Sequence, residues 1–300
     1  MKFWPGAIAS ILVFCGASPS NAEVEDALLQ ERWQSSRVVD PSVLPEGEIA
    51  EVEVLLARSL DHAMDPQTEQ AWAELGFETE TLRLQEDPCH LLYERHDSRL
   101  GRGMFLLCPT RSRSSTLLIP HGFHDRLTAE IGMLLATEGR FRAVAWNTTP
   151  RDLSAEGEPD ATSHDVAHAK ESYFTGLARA ASVLGIRGPI VQLHGFAPYL
   201  RTTAAGRSAR AILSSGTSVP HESTLVASAC LGRALGERLL VYPTEVNELG
   251  GTRNRVAAVL RDWGRRDFLH IELSFALRRR LLEDESVRQS ITRCLGASPR

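Results

Sequence analysis

Beyond its first 22 residues the chain has no apolar stretch long enough to cross a bilayer, so no membrane-spanning helix is predicted for the remainder. It has no Cys-x-x-Cys pair, so nothing in its spacing supports zinc held on sulfur. No Gly-x-Ser-x-Gly elbow occurs, which removes the usual device for exposing a nucleophilic serine on a tight strand-to-helix turn. Internal repeats and low-complexity tracts are also missing. The net charge of −5 over 300 residues is mild, and gives no electrostatic case for nucleic acid or an anionic membrane as partner. What is left is an ordinary globular composition, 43% hydrophobic, long enough for one substantial core and a small appendage.

The amino terminus differs from the rest. Lys2, the apolar run Ala7 to Gly16 and the small residues Ser20-Asn21-Ala22 predict a secretory signal peptide over residues 1–22, cleaved after Ala22. An exported protein, periplasmic or extracellular, follows. Four cysteines would then remain in the mature chain: Cys89, Cys108, Cys230 and Cys294. An even number in an oxidising compartment favours disulfides. Cys89 and Cys108 flank two strand-like runs around the polar turn His96 to Arg102, so a hairpin would pair them and leave Cys230 with Cys294.

Residues 23–45 read as a loose mature amino terminus. Residues 48–75 have helical spacing with a break at Pro66, and the hairpin follows. From residue 115 strands alternate with helices. Strands are predicted at 115–120, 142–147, 189–193, 209–214, 238–242 and 267–273. Helices are predicted near 127–138, 166–184, 222–235, 252–263, 275–284 and 286–296. This alternation predicts an α/β fold, a mainly parallel or mixed sheet with helices on both faces, carrying a small N-terminal helix and β-hairpin appendage. The implied division is an N-terminal segment, 23–110, and an α/β domain, 111–300. The loop Thr148 to Ser163 has no apolar rhythm, and loops of that length are often functional.

Three ionisable side chains sit at or near the ends of apolar runs: His121 after Thr116-Leu-Leu-Ile-Pro, His194 after Ile190-Val-Gln-Leu, and Glu272 within Phe268-Leu-His-Ile-Glu-Leu. Such groups are costly to bury unless paired or bound to something, and ligand sites of open α/β sheets gather at strand carboxyl ends. Both histidines begin a His-Gly-Phe. Two imidazoles and a carboxylate converging at one place would suit a zinc hydrolase. Close partners of His121 come from His124, Asp125 and Glu130. Burial would raise the Glu272 pKa and fit it for general-base work; the plainer alternative pairs it with Arg278. His270 shares a strand face with Glu272 and would orient it. Asp165 and His168, three apart at a helix start, lie on one face, with Asp165 a natural N-cap and His168 within reach of a reacting oxygen or a metal ligand. Arg126 and Arg151 are candidates for holding a substrate carboxylate.

In their order along the chain, His121, a close acidic partner, His194 and Ile271-Glu272 resemble the zinc carboxypeptidase-like superfamily, in particular its N-formylglutamate amidohydrolases, poly-γ-glutamate hydrolases and succinylglutamate desuccinylases or aspartoacylases. The resemblance covers roughly residues 115–283. It implies an α/β core and a Zn2+ ion held by His121, Asp125 and His194, with Glu272 as the base. It further implies hydrolysis of an amide bond in a small-molecule or peptide substrate bearing a carboxylate: a peptide, a γ-glutamyl chain or an N-acyl amino acid. Two departures stand out. The carboxypeptidase His-x-x-Glu is absent, with His124 in the glutamate's place, and the Arg-Asp-Leu-Asn-Arg of formylglutamate hydrolases appears only as Arg151-Asp152-Leu153-Ser154.

Two other readings compete. Ile119-Pro-His121-Gly-Phe also resembles the oxyanion loop of serine α/β-hydrolases, for which Ser214-Ser215-Gly216 is the nearest substitute for the missing elbow. The chain would alternatively be an exported binding protein whose histidines are structural.

Overall fold

The structure is a computed structural model that describes residues 21–42, 44–111, 114–153 and 164–296. The expected signal segment up to residue 20 lies outside the described residues, as does most of the loop after Leu153.

The described chain forms helices α1 (Asn21–Ser35), α2 (Glu48–Asp61) and α3 (Pro66–Glu74), then strands β1 (Phe77–Leu84), β2 (Asp87–Glu94), β3 (Met104–Leu107) and β4 (Thr116–Ile119). There follow α4 (Thr128–Glu138), β5 (Ala143–Trp146), α5 (Tyr173–Val183), β6 (Ile190–Phe196), the short α6 (Ala204–Ser208) and β7 (Ala211–Ser214). The chain closes with α7 (Glu222–Leu235), β8 (Leu239–Val241), α8 (Arg255–Asp262), β9 (Phe268–Ser274), α9 (Phe275–Glu283) and α10 (Glu285–Cys294). All the strands join one nine-stranded sheet in the order β1-β2-β3-β5-β4-β6-β9-β7-β8. The centre, β5-β4-β6-β9, is parallel, while β1, β2 and β3 extend it antiparallel and β7 lies antiparallel to β9. The sheet is therefore mixed.

Alternation along the strands feeds two apolar layers. Leu117, Ile119, Val191, Leu193, Leu269 and Ile271 point to α1, α4, α7, α9 and α10, while Leu118, Ala145, Ile190 and Phe268 point to α2, α5 and α8. The hairpin forms as expected, with His90 opposite Leu107, and the next pair outward is the disulfide Cys89–Cys108. The second disulfide, Cys230–Cys294, ties α7 to α10.

Two expectations are corrected. The supposedly loose amino terminus contains α1, whose Leu29 and Trp33 are buried against the core. Trp33 stacks on Phe123 at 4.2 Å and donates its indole N–H to the Asn147 carbonyl at 3.1 Å. Gly122 makes the approach feasible, since a Cβ there would stand 2.9 Å from the Trp33 ring. The second correction concerns the helix expected from residue 166, which begins at Tyr173. Ser172 caps it in a reciprocal capping box with Thr175. Residues 164–169 instead form tight turns in which His168 N–H and Ala169 N–H both donate to the Asp165 carbonyl at 2.8 Å.

Candidate metal centre

Neighbouring parallel strands in register place equivalent side chains side by side. β6 and β9 pair Gln192 with His270 and His194 with Glu272. All four stand on the face that carries Ile190 and Phe268 deeper in the strands, so an apolar stripe turns polar toward the strand carboxyl ends. His194 lies inside β6, which runs on to Phe196, rather than at its end.

His121 arrives from β4, two residues past the strand. A helical turn follows, with the N–H groups of His124 and Asp125 donating to the His121 carbonyl at 2.9 and 2.7 Å. That turn returns the Asp125 carboxylate to the His121 ring, and Thr128 anchors it by donating its hydroxyl to the Asp125 carbonyl at 2.7 Å.

Three atoms converge here. His121 Nδ1 lies 3.5 Å from Asp125 Oδ2, His194 Nδ1 lies 3.7 Å from the same oxygen, and the two Nδ1 atoms are 3.1 Å apart. Zinc bonds of about 2.0–2.1 Å at tetrahedral angles put neighbouring donors about 3.3–3.4 Å apart. The three edges bracket that value, so the donor set fits a zinc ion held on three sides with one side open.

The outer ring nitrogens reinforce the fit. His121 Nε2 is 2.7 Å from Asp165 Oδ1 and His194 Nε2 is 3.1 Å from Gln192 Oε1. Donation from both Nε2–H groups leaves both Nδ1 lone pairs facing each other and the carboxylate, an arrangement that calls for a cation between them. A proton answers the same demand. Burial alone would lower the His121 pKa, yet hydrogen bonds to Asp125 and Asp165 outweigh it and raise the value to about 9. Burial likewise raises the carboxyls of Asp125 and Asp165, and their hydrogen bonds with His121 outweigh it and hold both well below the usual range. Burial pushes His194 down.

Further groups support the rings. Gln192 Oε1 also accepts from Asn254 Nδ2 at 2.5 Å, and Asn254 is the N-cap of α8. The His270 ring lies 4.4 Å from that of His194, centroid to centroid, and its Nε2 is 3.9 Å from Glu272 Oε1. Burial, then the charge of His194, keeps His270 far below its ordinary pKa. Glu272 Oε2 is buried without a hydrogen-bond partner among the described residues, and burial, then the charge of Asp125, pushes the Glu272 pKa up to about 8.

His121, Asp125, His194, His270 and Glu272 line a cleft of about 900 Å³ at the strand carboxyl ends. Arg126, Arg151 and His168 face it, and so do Arg201, Arg253 and Arg278. Sequence reasoning passed over Arg201 and Arg253, which sit among the chain's abundant arginines in loops with no distinguishing motif; the glycines and prolines around each were the only signal. His124 lies on the rim and accepts from Arg151 Nη2 at 2.9 Å, away from the three donors. Glu130 does not line the cleft. Asp165 is no helix cap; its second oxygen lies 2.9 Å from His168 Nδ1. No ion pair links Glu272 with Arg278 among the described residues, so the plainer explanation for a buried Glu272 is not met. Ser214 and Ser215 are buried, with hydroxyls bonded to the Gly250 carbonyl and to Thr224, and among the described residues neither hydroxyl is hydrogen-bonded to a histidine side chain.

No protein-family model and no curated protein matches this chain. Solved structures do resemble it. A bacteriophage poly-gamma-glutamate hydrolase aligns over 61% of this chain and 83% of its own, at 13% identity and a TM-score of 0.39. Succinylglutamate desuccinylase from Chromobacterium violaceum aligns over 76% and 75%, at 11% identity and a TM-score of 0.38. Glutaminyl cyclase from Porphyromonas gingivalis aligns over 91% and 97%, at 12% identity and a TM-score of 0.38. At identities this low, function rests on the arrangement of side chains in this protein.

Proposed function

We propose that this protein is an exported zinc-dependent hydrolase that cleaves an amide bond in a carboxylate-bearing substrate, with Glu272 as general base. The observation that carries this reading is the triangle of His121 Nδ1, His194 Nδ1 and Asp125 Oδ2, whose 3.1–3.7 Å edges match a tetrahedral zinc site. When bound, such an ion polarises a carbonyl and lowers the pKa of water to near neutrality.

The chain's own residues do the rest. Asp165 and Gln192 fix the two rings in the tautomer that presents Nδ1. Glu272 takes a proton from the attacking water and passes it to the leaving amine nitrogen. Its raised pKa suits it to hold that proton between the two transfers, and positive charge at the donor triangle draws the pKa back from about 8 toward neutrality. Arg126 and Arg151, on the cleft wall, are suited to a substrate carboxylate. Export rests on the amino-terminal pattern and two disulfides, and no described helix is long and apolar enough to cross a membrane.

Glu272→Gln tests the assignment. The variant is expected to keep its zinc and lose at least about 100-fold in kcat on N-acyl amino acid or γ-glutamyl substrates that the wild type cleaves. Full turnover by a zinc-loaded Glu272→Gln protein would remove Glu272 from the mechanism.

A further inference from the structure

The cleft has two unlike walls. One comes from the segments that follow β4 and β5 and carries Arg126, Arg151 and His168; Arg253 stands at its edge, where it shares a hollow with His168. Among the described residues none of these three arginines is paired with a carboxylate: Arg126 lies over the Phe275 ring and Arg151 donates to His124. The other wall is the crossing from β6 to β7, which passes β9, together with the loop after β8. In the strand order β5-β4-β6-β9-β7-β8 the two walls belong to opposite sides of the cleft.

The second wall is apolar and electrically neutral. A single turn, Pro198–Leu200, lifts two large side chains toward solvent, with Tyr199 81% and Leu200 61% exposed, and both line the cleft. The turn is held by Leu200 N–H on the Ala197 carbonyl at 3.1 Å and Arg201 N–H on the Pro198 carbonyl at 3.0 Å. Just beyond it, Glu248 accepts from the Thr203 hydroxyl at 2.5 Å and from the Thr203 and Thr202 N–H groups at 2.8 and 3.1 Å. These bonds, the hydroxyl first, hold its pKa down to about 2, so it is anionic at neutral pH and offsets Arg201, 3.8 Å away. Leu249 follows, packed on the small cluster of Phe196, Ile212 and Leu240, and it too lines the cleft. Adjoining apolar side chains exposed at a binding cleft mark a ligand surface, and a turn already fixed loses little freedom when covered.

We infer that the substrate is an N-acyl amino acid with an apolar acyl chain, and that Tyr199 and Leu200 set this specificity by covering that chain. This rests on the hydrolase reading above. In such a molecule the two sides of the amide differ as the two walls do: the nitrogen side carries a carboxylate, suited to Arg126 and Arg151, and the carbonyl side carries hydrocarbon. A γ-glutamyl chain carries a carboxylate on each side of the amide and would set one of them against the neutral apolar wall. Water adds across the amide, giving a fatty acid and a free amino acid.

The test uses the full mature chain loaded with zinc and a series of N-acylglycines from acetyl to octanoyl. Burying hydrocarbon on one or both sides should raise kcat/KM about two- to fourfold per CH2, or at least about 50-fold over the series. Tyr199→Ser/Leu200→Ser should lower the octanoyl value at least about tenfold and flatten the series, while Tyr199→Phe/Leu200→Ile, the safer fold, should keep the slope. Independently of turnover, calorimetry on zinc-loaded Glu272→Gln should show N-octanoylglycine bound at least about tenfold tighter than N-acetylglycine, with a negative heat-capacity change that shrinks when the two serines are added. Rates and affinities indifferent to chain length, or γ-glutamylglycine cleaved faster than every N-acylglycine, overturn the inference and leave the hydrolase standing. Chain-length-dependent binding through Tyr199 and Leu200 with no cleavage of any amide overturns the hydrolase reading and supports the acyl surface.

Discussion

Replacing Asp165 probes the centre without touching a metal donor. Its Oδ1 receives the His121 Nε2–H at 2.7 Å and its Oδ2 faces His168 at 2.9 Å. Removing a partner of this kind weakens metal binding about 10- to 100-fold, or about 1.4–2.7 kcal/mol. The pH at which this is read decides the size of the effect. Asp125 and Asp165 together raise the His121 pKa to about 9, so below that pH a proton competes for the donor triangle. At pH 7 this competition lowers the apparent zinc affinity of the wild type by about two orders of magnitude, about 3 kcal/mol. Asp165→Asn weakens the pull on the proton, so His121 titrates lower and the variant regains part of that loss at neutral pH. Above pH 9 the proton is gone in both proteins and only the lost orientation remains. Zinc titration against a competing chelator should therefore give wild-type affinity that rises about tenfold per pH unit up to about 9 and then levels. Asp165→Asn should level at a lower pH, with its full deficit of at least about tenfold visible only above pH 9. Equal affinities above pH 9, or a wild-type profile flat between pH 7 and 9, would refute the coupling of His121 to Asp165 and to the metal.

Other outcomes follow from the scaffold. Trp33→Ala removes a buried ring stacked on Phe123, in the loop that carries His121, and a hydrogen bond to the Asn147 carbonyl after β5, and should cost about 3–5 kcal/mol in urea unfolding; a loss under about 1 kcal/mol would show that α1 is not docked. Opening the Cys230–Cys294 bridge, which spans 64 residues, should cost about 4 kcal/mol, and opening Cys89–Cys108, which spans 19, about 3 kcal/mol, both read as a lower urea midpoint after gentle reduction. Identical midpoints with and without reductant would mean that neither bridge forms.

Much of the fold was legible because its signals were local. The apolar runs at 190–196 and 268–274 are buried strands, and the two His-Gly-Phe segments meet because β4 and β6 are adjacent parallel strands. The hairpin spacing placed Cys89 opposite Cys108. What the sequence concealed depended on contacts far along the chain. The α1 helix has little amphipathic contrast, and only Leu29 and Trp33 betray its buried side, so it read as a tail. The start of α5 was hidden because Asp165 looks like a helix cap until its carboxylate is seen spent on His121, 44 residues away. Gln192 gave no sign of its role, since it bonds to an N-cap, Asn254, that lies 62 residues later. Among His124, Asp125 and Glu130 the spacing did not choose; the helical turn after His121 does, by swinging Asp125 inward and leaving His124 on the rim.

The central claim is that His121, Asp125 and His194 hold one zinc ion, and elemental analysis combined with zinc-edge X-ray absorption on the purified chain tests it most directly. The account predicts about one zinc per chain, bound by two imidazole nitrogens and oxygen donors with no sulfur, and its loss in His194→Ala. A wild-type protein that remains metal-free after zinc is supplied, or zinc held equally well by His194→Ala, would contradict it.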